Sequence, residues 1–360
     1  MPLSKIQDIG NQVVPNLGRR NLIINGAFLH DQRHNFGTHT TETFIGDRLN
    51  VEGLVGGGGA TMQVVSDSPD ALPNINSAKV TVTSTDTSLA AADRYTLRHI
   101  IEGNHSRHLG FGTSNAKTCT LSFYVKSSLT GTFSGAISNG ANDRGRPFEY
   151  TISSANTWER KTILIVPDTS GTYLTTNGRG IQIRWAMAIG SNRHAALGSY
   201  SAQEVHGTSN QTNLFATNGA TFQLTGLQFE EGTVATDFEH RSFAEELALC
   251  QRYFTMHSNL GTNTALSDGF SWDATEVDFM YTFPVEMRAT PSIYQVTGAN
   301  YFKIQGNSVT SYVDGNWTLQ YASKFATSHY ATSDASRTAG DSLHITFNNT
   351  AARLGYSAEL

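Results

Sequence analysis

Between Ile181 and Ile189 every second residue is large and apolar: Ile181, Ile183, Trp185, Met187 and Ile189. Gln182 and Arg184 fall on the opposite side. A strand with that period has one face that must lie against a second apolar layer. The same pattern marks Met62 to Ser66, Ala78 to Ser84 and Tyr95 to Glu102. It returns where Leu121, Phe123 and Val125 oppose Ser122, Tyr124 and Lys126. Leu22 to Ile24 reads as a short strand closed by Asn25-Gly26, and Trp158 to Val166 ends in the near-continuous apolar run of a strand buried on both faces. Trp158 and Trp185 are expected in the core. Turns are placed by Asn139-Gly140, Asn177-Gly178 and Asn218-Gly219. No helical crossover is signalled between strands, so the sheets should be antiparallel and close as a sandwich.

The second half repeats this grammar. Val277, Phe279, Tyr281 and Phe283 alternate, and Tyr301 to Ile304, Val309 to Val313, Trp317 to Tyr321 and Leu343 to Phe347 are short strands. Asp314-Gly315 is expected to close a hairpin, and the Ser/Thr/Ala-rich stretch from Ala322 to Gly340 to be a loop. The halves meet in FQLTGLQFEEGTVATDFEHRSFAEELALCQRYF, Phe222 to Phe254. There Phe222 and Leu224, then Leu227 and Phe229, slip by one at Thr225-Gly226, as at a β-bulge. Ser242 and Glu245 form a capping box, and Phe243, Leu247 and Cys250, with Phe254 beyond, make the apolar stripe of a helix read as a clasp between two β domains. The fold class is therefore all-β, two antiparallel jelly-roll-like sandwiches joined by one short helix. Residues 1–20 are an arm whose Ile6, Ile9, Val13 and Val14 could dock on a neighbour. Residues 21–240 form the first sandwich, 241–255 the linking helix and 256–360 a smaller sandwich.

Charge is sparse. Only 15% of the 360 residues are charged and the net charge is −5, with no block of Lys or Arg. Binding along a phosphate backbone needs a basic stripe, so nucleic acid is excluded as an expected partner. Cys119 and Cys250 stand far apart and are expected as buried free thiols. The first twenty residues lack the apolar segment of a signal peptide, and no stretch is long enough to span a bilayer.

NLIINGAF (Asn21 to Phe28), the pair Asp47-Arg48, TLSFYVKSS, TWERKTILIVPDTSGT, NGRGIQIRWAMAIGSN and the helix-bearing stretch above together resemble a family of bacteriophage virion proteins. FPVEMRATPSI and the final Ala-Glu-Leu extend the likeness across nearly the whole chain from Asn21. Such proteins are common in tailed phages, many of them marine, and are usually called tail-fibre, appendage or structural proteins. The first domain also resembles jelly-roll carbohydrate-binding modules, which begin with an N-x-x-x-N-G-x-F strand and carry an L-S-F-x-V-K-S strand. Those modules commonly have a Glu just after the Phe that helps hold a structural Ca2+. Here that position is Leu29, which offers no ligand, so no cofactor is expected and Ca2+ enters only through the resemblance.

Few residues are arranged for chemistry. His30, His34 and His39 do not make a helical zinc motif, since HDQRH has Asp31 as its one intervening acid and lies in a loop-like segment. Glu230 and Glu231 are neighbours on a strand end, where side chains point to opposite faces, and are read as a solvated turn. No Gly-x-Ser-x-Gly elbow is present. Sandwich modules that hold sugars stack an aromatic ring on the pyranose face. Tyr124, on the polar side of its strand, and Phe148 and Tyr150, after the charged loop Asp143 to Arg146, are the candidates for such a site. A β-rich core or a subunit interface would otherwise consume them.

The expected function is non-enzymatic. The resemblance implies a tail-fibre or appendage subunit of the virion, assembled in the host cytoplasm as a symmetric oligomer, a trimer by preference. It would meet other virion proteins through the N-terminal arm and host-surface glycan through the first sandwich. A capsid decoration or head fibre, or a glycan depolymerase, are the alternatives.

Overall fold

The computed structural model describes residues 19–34, 36–38, 40, 44–55, 57–257 and 262–360, with the backbone alone at 53–55. Ile6, Ile9, Val13, Val14 and His39 lie outside the described residues. The chain divides into two compact units, Met1–Ser242 and Phe243–Leu360. Both are built almost wholly of antiparallel strands.

The first unit contains β1 (Phe44–Ile45), β2 (Leu49–Val55), β3 (Gly59–Val65), β4 (Ser77–Ser84), β5 (Arg94–Glu102), a single turn α1 (Gly103–Ser106), β6 (Cys119–Ser127), β7 (Gly131–Asn139), β8 (Gly145–Ile152), β9 (Glu159–Ile165), β10 (Arg179–Ile189) and β11 (Thr221–Glu231). They form a six-stranded sheet, β1-β2-β5-β10-β7-β8, and a five-stranded sheet, β3-β4-β11-β6-β9. From β5 onward the chain crosses between the sheets at every connection except the β7–β8 hairpin, the winding of a jelly roll. One continuous core fills the space between them, with Trp185, Phe123, Phe133, Phe222 and Phe229 fully buried. Trp185 meets Phe123 edge to face at 5.8 Å.

The central strands are buried on both faces. In β10 Gln182 and Arg184, the polar side of the alternation, are as inaccessible as Ile181 and Ile183. Several expectations are corrected. β9 pairs only with β6 and is an edge strand, so Leu164 and Val166 are exposed rather than doubly buried. Trp158 is half-buried, its Nε1 donating to Asp67 at 3.1 Å beneath the Lys126 ammonium. Leu22 to Ile24 is not a strand: Leu22 N–H reaches Phe229 O at 2.9 Å, while Ile24 N–H turns to His99.

The second unit opens on α2 (Phe243–Gln251), followed by β12 (Phe254–Met256), β13 (Thr264–Ser271), β14 (Glu276–Thr282), β15 (Ser292–Val296), β16 (Phe302–Gly306), β17 (Val309–Tyr312), β18 (Thr318–Ala322), β19 (Ala326–Thr332), β20 (Ser342–Phe347) and β21 (Arg353–Ser357). These make a three-stranded sheet, β12-β21-β15, and a seven-stranded sheet, β17-β16-β20-β13-β14-β19-β18. The helix starts directly after Ser242, with Glu245 in its first turn. Its buried edge is Glu246 and Cys250, whereas Phe243 is 63% exposed and Leu247 half-buried. The inward face is thus turned one position from the expected stripe. Cys250 and Cys119 are buried and form no disulfide.

Two further corrections concern strands. The stretch expected as a loop holds β19, which lies between β14 and β18. Thr327, His329 and Ala331 point inward from it, none of them large and aliphatic, so no apolar period was visible. At Asp314-Gly315 the chain bends, with Gly315 at φ +100°, but no hairpin forms there: β17 pairs with β16 and β18 with β19.

His329 stacks on Phe279 at 4.4 Å, and burial, with His257 adding to it, pushes its pKa down to about 4. As pH falls below about 6.5, the unfolded chain takes up this proton first, so stability is highest above that value and declines toward pH 4. The loss should be on the order of 3 kcal/mol. Thermal melts from pH 7 to 4.5 should show the decline in the transition that reports the second unit, and His329→Phe should flatten it. An unchanged slope in that variant would remove His329 as the cause.

Candidate functional site

Tyr124 is the one sequence-predicted aromatic that the fold places at the surface of a cleft. On β6 the residues Leu121, Phe123 and Val125 enter the core, so Ser122 and Tyr124 point outward from the five-stranded sheet. Cross-strand pairing puts Tyr124 between Thr225 of β11 and Arg160 of β9. The register of β11 shifts between Thr225 and Gln228, and Gly226 takes φ +58°. That conformation favours glycine. A Cβ there would lie 2.7 Å from Leu72 Cδ1 and 3.1 Å from a Tyr124 ring carbon. The missing side chain therefore lets Leu72 and Tyr124 close over the floor of the cleft.

The opposite wall is the segment after β11. Glu230 is 1% exposed and acts as its anchor, accepting from Thr236 N–H at 2.9 Å and from Thr236 Oγ1–H at 2.7 Å. Gln228 Oε1 accepts from Glu239 N–H at 2.8 Å, and Arg160 donates to Thr236 O at 2.7 Å. The expected solvated turn is thus corrected for Glu230, while Glu231 is half-exposed and pairs with Lys117 at 2.9 Å. Thus held, Asp237, Phe238 and His240 complete a cleft of about 260 Å3 with Ala71, Leu72, Ser122, Tyr124, Arg160 and Gly226. Tyr124 and Phe238 pack with Leu29 on the small cluster Ala27, Leu72 and Ile75. The apolar floor is consequently backed by a core of its own, and hydroxyl, carboxylate, guanidinium and imidazole groups surround it. Leu29, where the similar modules carry an acidic residue, belongs to this apolar cluster.

Phe148 and Tyr150 are not brought to the cleft. Both point inward from β8, opposite Gly135 and Phe133 of β7, and are 5% and 6% exposed. Gly135 provides the room: a Cβ on it would stand 2.4 Å from Phe148 Cζ. Tyr150 packs edge to face on Phe123 at 5.1 Å. Glu149, between them, carries the outward side.

Among the described residues one group has metal-ligand character: Glu52, Glu204 and His206, with ligand atoms within 4.8 Å of one another. Arginines already occupy these oxygens. Arg184, fully buried, donates to Glu52 Oε2 at 2.6 Å, Arg98 to Glu52 Oε1 at 2.7 Å, and Arg193 pairs with Glu204. Burial acts against the Glu52 carboxylate, but Arg184 and Arg98 outweigh it and hold its pKa down to about 2. Glu204 is likewise held to about 2, chiefly by its hydrogen bond from His206. A divalent cation would meet three guanidinium groups, so these residues do not fit a metal and form an ion network spanning the outer face of the six-stranded sheet. Neither carboxylate is poised as a general acid at neutral pH.

The histidine-rich loop is also committed. His34 Nδ1 lies 3.0 Å from Asp31 Oδ1, and Asp47, whose pKa burial pushes up to about 6, stands beside Arg33 and accepts from Gln32. Arg48 reaches Ile100 O at 2.8 Å. No helix among the described residues is long and apolar enough to cross a membrane.

No protein-family model matches the chain, and no curated protein matches it. Among solved structures it is similar to the enzymatically active domain of tailspike protein 4 of bacteriophage CBA120, at 12% identity and TM-score 0.30, over 59% of this chain and 22% of that one. The chain therefore spans about a fifth of that protein's length. It is also similar to a family 4 carbohydrate-binding module (15% identity, TM-score 0.28, 58% of this chain and 99% of that). A third is the family 11 module of Clostridium thermocellum in complex with a β-1,3-1,4-mixed-linked tetrasaccharide (14%, 0.28, 55% and 98%).

Because Phe148 fills the space over Gly135, Phe148→Ala should lower unfolding free energy by about 3 to 5 kcal/mol. Denaturant titration checks this. A variant of unchanged stability would contradict its placement in the core.

Proposed function

We propose that this chain is a non-catalytic, glycan-contacting structural subunit, serving as a tail fibre or appendage of a bacteriophage particle. The observation that carries the glycan contact is the Tyr124 cleft. A half-exposed ring lies beside Leu72 and Phe238, so a saccharide can place its C–H face on an apolar floor while its hydroxyls meet Ser122, Asp237, Arg160 and His240. Glycoside hydrolysis by the usual route needs two carboxylates facing each other across the scissile bond. The cleft is lined by one, Asp237. Glu52 and Glu204 are locked to arginines. The virion role is supported by the order of sequence motifs from Asn21 to the C-terminal Ala-Glu-Leu.

A broad glycan array probed with the full chain tests the contact. Tyr124→Ala and Phe238→Ala should each weaken binding to the best array glycans about tenfold, the loss of one aromatic contact worth roughly 1.4 kcal/mol. Incubation with those glycans should release no new reducing ends. Undiminished binding in both variants would remove the cleft as the site, and new reducing ends would remove the non-catalytic reading.

Assembly is tested separately. Light scattering should return three times the 39.1 kDa chain mass. A monomer across micromolar concentrations would overturn the oligomeric subunit.

A further inference from the structure

The second unit carries a surface of different chemistry. On the seven-stranded sheet Val277 and Phe279 of β14 face the core, so Glu276, Asp278 and Met280 face out. Asp278 lies directly between Phe270 of β13 and Tyr330 of β19 in the antiparallel register. One row along, Trp272 N–H bonds Glu276 O at 2.9 Å, which brings Trp272 alongside Glu276. One row the other way, Met280 stands opposite Ser328, and Ser328 opposite Tyr321.

Four of these side chains are unusually open for their type: Trp272 is 64% exposed, Phe270 42%, Met280 68% and Tyr321 74%. Yet Asp278, in their midst, is only 5% exposed, and its Oδ1 is buried without a hydrogen-bond partner. Leaving a buried carboxylate oxygen without a donor is costly. Burial, with Glu276 and Asp273 nearby, pushes the Asp278 pKa up to about 6. No residue in these three rows on β13, β14, β19 and β18 is a Lys or Arg, and the basic side chains further along the same face are engaged elsewhere: His344 lies 3.1 Å from Asp268 and Lys303 donates to Asn263 at 2.6 Å.

We propose that this face binds an arginine-bearing segment of a partner protein, with the guanidinium seated between the Trp272 and Phe270 rings and the Asp278 carboxylate. The chemistry selects that group. A guanidinium is planar and weakly hydrated, it stacks on aromatic rings, and its N–H fork satisfies carboxylate oxygens. Trp272 and Phe270 lie 6.3 Å apart, centroid to centroid, offering two adjoining ring surfaces. A second copy of the same face is a poor occupant, because apposed Asp278 and Glu276 would repel. This site is independent of the saccharide cleft in the first unit.

The test uses the full chain at about 0.15 M salt, with a blocked Ala-Arg-Ala-Arg-Ala peptide and a matching Ala-Glu-Ala-Glu-Ala peptide as probes. Binding is followed by calorimetry and by the fluorescence of the exposed Trp272. The arginine peptide should bind and the glutamate peptide should not. Asp278→Asn and Trp272→Ala should each weaken binding about tenfold. Asp70→Asn, which removes the same charge from an exposed site in the first unit, should change it less than twofold. Asp278→Asn should melt no lower than the parent, because it removes an uncompensated charge. Equal binding of the two peptides overturns the proposal, and so does equal loss in the Asp278 and Asp70 variants. If Trp272→Ala instead dissociates an oligomer and the parent ignores the peptide, the face is a contact between copies and the proposal fails.

Discussion

A single inserted residue in β11 sets the geometry on both faces of the first unit. Gly226 allows the strand to slip its register while Phe222, Leu224, Leu227 and Phe229 all remain in the core. Without the slip, alternation would turn one of those pairs outward. On the outer face the same residue leaves a gap that Leu72 and Tyr124 close, and beyond it Gln228 and Glu230 project to hold the returning chain. The core and the cleft are therefore consequences of one backbone irregularity.

The two outer faces of this sandwich solve the burial of polar groups differently. Over the six-stranded sheet, Arg184 and Gln182 are sealed from solvent and balanced by Glu52, Ser138 and Asn142. Such a network is rigid, fully committed and costly to disturb. Over the five-stranded sheet, polar groups rim a cleft whose floor is apolar, and Arg160 is at once part of that rim and a tie to Thr236. The second unit presents a third arrangement, in which the buried acid Asp278 is ringed by aromatics and lacks a donor.

Much of this could be read from the chain. β10 was evident because its apolar residues are large and its partners polar, and the bulge was marked by a Gly placed where the alternation broke. The outward placement of Tyr124 followed from its strand's parity. Parity also places Phe148 and Tyr150: Glu149 between them marks the exposed side, and the adjoining charged loop Asp143 to Arg146 does not change which way the rings point. β19 was hidden because Thr, His and Ala fill its inward positions, where a neutral histidine stacked on Phe279 takes the place of an aliphatic residue. The edge position of β9 is marked by the charges Glu159, Arg160 and Lys161 at its start, but the apolar run Ile163 to Ile165 that follows reads equally as a central strand and hides the exposure of Leu164. The role of Glu230 required knowing that Thr236 returns across the sheet.

The central claim is that a saccharide sits on Tyr124. The most direct measurement is a crystal structure of the full chain soaked with the strongest glycan from the array. The account predicts a sugar ring stacked on Tyr124 beside Phe238, with hydroxyls on Asp237 or Arg160. A saccharide seated elsewhere on the first unit, with the Tyr124 cleft empty, would contradict it.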